Sequence, residues 1–92
     1  MRRRRNPEII AGRVASTGAI VAGDGFTVAR TVAGTYNVTL LGDFRLLAAT
    51  ATGAFGTGVD SYSSNGFRVQ TYGTGLTITD FAFSFIAVAV QQ

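Results

Sequence analysis

Any chemistry in this chain would fall to five carboxylates, Glu8, Asp24, Asp43, Asp60 and Asp80, because the sequence holds no histidine and no cysteine. Without imidazole or thiol there is no nucleophile–base pair of the usual kind and no zinc ligand set. General acid–base work needs groups that converge on one substrate atom. Here the acids are dispersed, the four aspartates in or beside predicted turns and Glu8 near the N-terminus. No run of closely spaced oxygen donors suits calcium. The pattern therefore predicts no enzyme, no metal and no cofactor. Three G-x-G triplets, at Gly23, Gly56 and Gly73, lack the following helix that would hold a phosphate, and they read as turns. Asn37-Val38-Thr39 spells a glycosylation sequon, but it falls within a predicted strand.

The cations are placed differently. All eight are arginine, and four of them form one block, Arg2, Arg3, Arg4 and Arg5. Beyond that block four arginines face five acids, a net charge of −1. The strongly basic character thus belongs to an arm, residues 1–8, and not to a face of the body, residues 9–92. Guanidinium groups fork onto carboxylates or phosphates, so the arm can dock on an acidic protein surface, bind nucleic acid, or stay solvated. The near-neutral body disfavours nucleic acid, since a dedicated binder continues its basic stripe onto the fold. Pro7, Glu8 and Arg13 break the apolar stretch that a secretory signal needs after its basic start. The longest apolar run, 81–90, is far shorter than the ~20 residues of a membrane-spanning helix, so no membrane partner is expected.

Helical periodicity is absent. Twelve glycines punctuate the chain, and Thr, Val, Phe, Tyr and Ile alternate between them. The alternation predicts strands over 9–15, 18–22, 26–32, 35–41, 45–52, 67–72, 76–79 and 81–90. Residues 53–65 read as a surface loop or ragged edge strand, and Asn65-Gly66 as a type I′ turn pair. Seven or eight short strands indicate an all-β fold, a small antiparallel sandwich or jelly-roll-like barrel. Tyr62 and Tyr72, with the polar loop 57–65, read either as ordinary surface residues or as a shallow platform for a host glycan.

The last strand is apolar on both sides. Phe81, Phe83 and Phe85 line one face; Ile86, Val88 and Val90 lie on the other, with Ser84 its only polar residue. A half-exposed antiparallel strand should be polar on one side. Either a loop of the chain covers the second face, or these residues form a subunit interface. A chain of 92 residues without disulfides has a thin core, and partner subunits are the remedy open to it.

Two stretches carry a resemblance. GRVASTGAIVAGDGFTVARTVAGTYNVTL (12–40) and GFRVQTYGTGLTITDFAFSFIAVAV (66–90) resemble the two halves of small β-sandwich modules in surface proteins and fibres of tailed bacteriophages. The resemblance implies a virion protein, often trimeric, displayed on the particle. A short chain with an arginine arm is most similar to a capsid decoration (cementing) or minor capsid protein. Its expected partners are copies of itself and a major capsid protein. A tail-fibre-type receptor or glycan-binding module is the alternative. The segment 41–65 departs from the fibre modules in lacking a Pro-rich connection, so no loop function is carried over.

Overall fold

A computed structural model describes residues 7–53 and 55–91. The arm residues Arg2–Arg5 lie outside the described residues. The described residues form eight strands: β1 (Pro7–Val14), β2 (Ile20–Ala22), β3 (Phe26–Val32), β4 (Thr35–Leu40), β5 (Phe44–Gly53), β6 (Thr57–Asp60), β7 (Gly66–Thr71) and β8 (Phe83–Gln91). They make two four-stranded antiparallel sheets, sheet A in the order β2-β1-β8-β5 and sheet B in the order β3-β4-β7-β6. The expected all-β sandwich is the fold.

Alternation of side chains decides what each strand buries. Tyr36, Val38 and Leu40 of β4 face inward with Phe67 and Val69 of β7, and meet Phe83, Phe85, Ala87 and Ala89 of β8. The packing is anchored by aromatic edges. Phe85 sets its ring against Phe26 at 4.7 Å and 85° and against Phe67 at 5.5 Å and 67°, and Tyr36 leans on Phe83 at 5.0 Å. Each such ring removes ~150–250 Å² from water and adds a directional edge-to-face contact. Phe26 reaches this knot only because Gly12 lies beneath it: a Cβ there would stand 2.3 Å from Phe26 Cζ.

Several boundaries differ from the sequence reading, each for a physical reason. Pro7 and Glu8 pair with Val90 and Ala89, so they belong to the sheet rather than to the arm. Proline is tolerated there because it is the first residue of the strand. Within the stretch 53–65 the edge-strand alternative holds in part, since Thr57–Asp60 form β6 at the edge of sheet B. Its connection to β7 runs through residues 61–65 and is closed by the Ser63 amide donating to the Gly66 carbonyl, 2.9 Å. This is a hairpin, but not the two-residue I′ turn: the residue with positive φ is Ser61, at 52°. Residues 76–79 are not a strand. A 3-10 turn over Thr74–Leu76 precedes a single bridge from Ile78 to Tyr72.

One flank of the sandwich is sealed. The outer edge of β5 receives the Thr57 hydroxyl at the Ala51 carbonyl, 2.7 Å, and gives the Leu46 amide to the Ser64 carbonyl, 2.7 Å. These bonds occupy backbone groups that would otherwise invite edge pairing. A bulge between Leu46 and Ala48 turns the Leu47 side chain out to solvent.

Candidate functional site

The two outer faces of the sandwich differ in chemistry. Sheet B presents Thr27, Asn37, Thr39, Arg68 and Gln70, which is the polar surface expected of a sheet with one face in water. Arg68 and Asp60 sit opposite each other on β7 and β6 and form a two-pronged ion pair, 2.7 and 2.8 Å. The guanidinium is the main cause that holds the Asp60 carboxyl below its ordinary value.

Sheet A presents the opposite. Registered on its outer side are Ile9 and Ala11 of β1, Ile86, Val88 and Val90 of β8, and Ala48 of β5, with Ser84, Thr50 and Thr52 toward the Arg13 end. Ile9 is 72% exposed and Ile86 50% exposed. The cations on this face, Arg13 and Arg45, stand at its two ends, beside Ser84 and Val90 respectively. Among the described residues none covers Ile9 or Ile86, which stay exposed. Small residues along β1 and β2 leave a groove of about 390 Å³ beside β8, lined by Ala11, Ala22, Ser84 and Ile86 among others. A smaller one of about 100 Å³ lies on the β5 side, with Thr50 and Thr52. Ile86 is thus a ridge between two grooves.

This placement divides the residues expected at an interface. Ile86, Val88 and Val90 are on the open face. Phe83 and Phe85 are each 2% exposed, filled against the chain's own core, and are unavailable to any partner. Phe81 precedes β8 and stacks on Phe55 at 5.3 Å, away from both sheets' centres. Phe83 and Phe85 therefore mark the core side of β8, and its reverse side is the open face.

The two candidate glycan residues are not brought together. Tyr72 follows β7 at the Thr57 end of the β6–β7 ladder, with its hydroxyl near Gln70. Tyr62 follows β6 at the other end and turns its hydroxyl to the Ala49 carbonyl on β5. A polar concavity of about 260 Å³ does lie beside the loop, lined by Asn37, Thr39, Ser61 and Ser63. Ser61 holds its left-handed backbone at the rim, a conformation that costs a non-glycine residue about 1–2 kcal/mol.

A second polar cluster went unrecognised in the sequence. Asp80 accepts from Arg30 Nε at 3.0 Å and Nη2 at 2.7 Å, and from the Gly34 amide at 2.6 Å. The Tyr36 hydroxyl lies 3.2 Å from Asp80 Oδ1 and 2.7 Å from the Ser16 carbonyl. Arg30, followed by the Gly34 amide, holds the Asp80 carboxyl down at about 2. Burial, followed by the Asp80 charge, raises the Tyr36 phenol. Every oxygen here is engaged by the protein itself, and the cluster fastens the segment entering β8 to the β3–β4 turn. Its only sequence signal was an acid next to the aromatic strand, with partners up to 50 positions away.

Among the described residues no three His, Cys, Asp or Glu side chains come together as a metal site. None of the helices there is long and apolar enough to cross a membrane. No protein-family model, no curated protein and no solved structure matches this chain.

Proposed function

We propose that this chain is a non-enzymatic structural protein of a bacteriophage particle, a capsid decoration or minor capsid protein that self-associates on the head surface. The observation that carries the reading is the two-faced sandwich: a polar sheet suited to solvent and an apolar sheet suited to an assembly. The phage component rests on the resemblance of residues 12–40 and 66–90. Binding of many copies to the assembled shell, and not to its loose subunits, stabilises the shell by mass action. In this reading Arg2–Arg5 grip acidic residues of the shell. Removing residues 2–5 is expected to lower occupancy on purified capsids in co-sedimentation, with melting temperature and solution mass unchanged. Undiminished occupancy would remove the arm from the docking contact.

The polar concavity beside Ser61 favours a second reading, a receptor-binding module for a host surface glycan. Hydroxyl and amide groups at Asn37, Thr39, Ser61 and Ser63 are the donor and acceptor types that sugars engage. A glycan array separates the two. Specific binding that Asn37→Ala abolishes supports the receptor role, and an array without signal leaves the structural one.

A further inference from the structure

We infer that the outer face of sheet A is covered by further copies of this chain, packed sheet against sheet through the ridge of Ile86, Val88 and Val90. The inference deepens the self-associating part of the reading above and does not depend on the location of the protein in a virion.

Three observations favour a copy of the same chain over an unrelated partner. The first is shape. At Ile86 the ridge of β8 is flanked by two grooves, one between β1 and β8 and one between β8 and β5. A face that carries both ridge and groove is able to fit copies of itself, face to face in a dimer or around an axis in a ring.

The second is charge. The centre of the face holds no ionisable residue. Charge enters only at the two ends, through Arg13 and Arg45. A strongly acidic or basic partner would find no continuous field across such a face.

The third is size. Strands ~4.8 Å apart and ~3.3 Å per residue give the face about 400–500 Å² in projection. Two such faces together cover about 800–1,000 Å² in projection, close to the roughly 1,000 Å² of a specific interface. Closure also works. A face three to four strands wide is about 14–19 Å across, and three of them around an axis leave about 4–5.5 Å from sheet to axis. That brackets half of the ~10 Å spacing of packed sheets, so a three-sided arrangement closes as a two-layered one does. Four copies would enclose a void.

The test is the solution mass of the full chain, by sedimentation equilibrium over a wide concentration range. The wild type is expected at the mass of two or three chains. Ile86→Glu buries an unpaired charge at the ridge, and its association is expected to weaken by about tenfold or more while its β-sheet signal and cooperative melt persist. Ile9→Lys, at the 72% exposed position on β1, gives the same result by an independent route should the first variant misfold. Thr39→Glu on sheet B leaves the mass unchanged. A wild type that is monomeric at the highest concentration overturns the inference, as does an oligomer whose mass neither face variant alters. A monomer that still binds capsids defeats this interface alone. An oligomer lost in both face variants that binds no particle defeats the virion reading and leaves the interface standing.

Discussion

Phe85→Ala is expected to cost about 3–5 kcal/mol, the range for deleting a fully buried phenylalanine. For 92 residues the whole stability of the fold is about 5–14 kcal/mol, so this one truncation removes a large part of it. The reason is position. Phe85 lies on β8, one of the two inner strands of sheet A, and is the ring on which both Phe26 and Phe67 of sheet B set their edges. Its removal leaves two aromatic rings without a partner and a void that sheet backbones cannot collapse to fill. Phe81→Ala supplies the contrast. That ring packs on Phe55, itself 59% exposed, so its loss should cost only about 1 kcal/mol, near the typical effect of a point mutation. Urea melts at one fixed protein concentration read both. Equal shifts for the two variants would mean that the aromatic knot does not hold the sheets together.

That contrast also marks what the sequence could disclose. Alternation over 26–32 and 35–41 located β3 and β4 closely, because tightly turned strands with large residues at every second position allow no other register. The two-sided apolar character of 81–90 was legible for the same reason. Which side the core would take was not, since Phe81 alternates with Phe83 and Phe85 in sequence but leaves the sheet before β8 begins. β6 was only half legible. Its four residues carry one large apolar side chain, Val59, and pairing with β7 makes it a strand. Residues 76–79 show the opposite case. Leu76-Thr77-Ile78-Thr79 alternates like a strand, yet tertiary bonds take its backbone: the Thr79 amide goes to the Thr71 carbonyl, and the Thr77 carbonyl accepts from Gly73. The Asp80 cluster lay beyond any local pattern, because it assembles residues from three separate segments.

The same cluster sets the second large effect. Gly34→Ala is expected to destabilise by about 2–4 kcal/mol, combining the left-handed backbone cost with overpacking. Gly34 adopts φ 66° in the two-residue turn between β3 and β4. A Cβ there would stand 2.8 Å from the Thr79 amide nitrogen and 2.5 Å from Ile78 Cγ2. Backbone on that side cannot yield without withdrawing the Gly34 amide from Asp80. The substitution therefore acts on the carboxylate as well as on the turn, and acid titration exposes this. Asp80 falls from an ordinary 3.8 to about 2 in the fold, so its contribution is complete above about pH 4 and disappears as pH drops toward 2. Asp60, also lowered by its arginine, adds to the same limb. Asp80→Asn should flatten that limb in part and leave the Asp60 share. Adding Gly34→Ala to Asp80→Asn should cost less than the sum of the two separate losses, because the amide–carboxylate bond can be lost only once. Strict additivity in melts at neutral pH would show that the turn and the β8 entry are held independently.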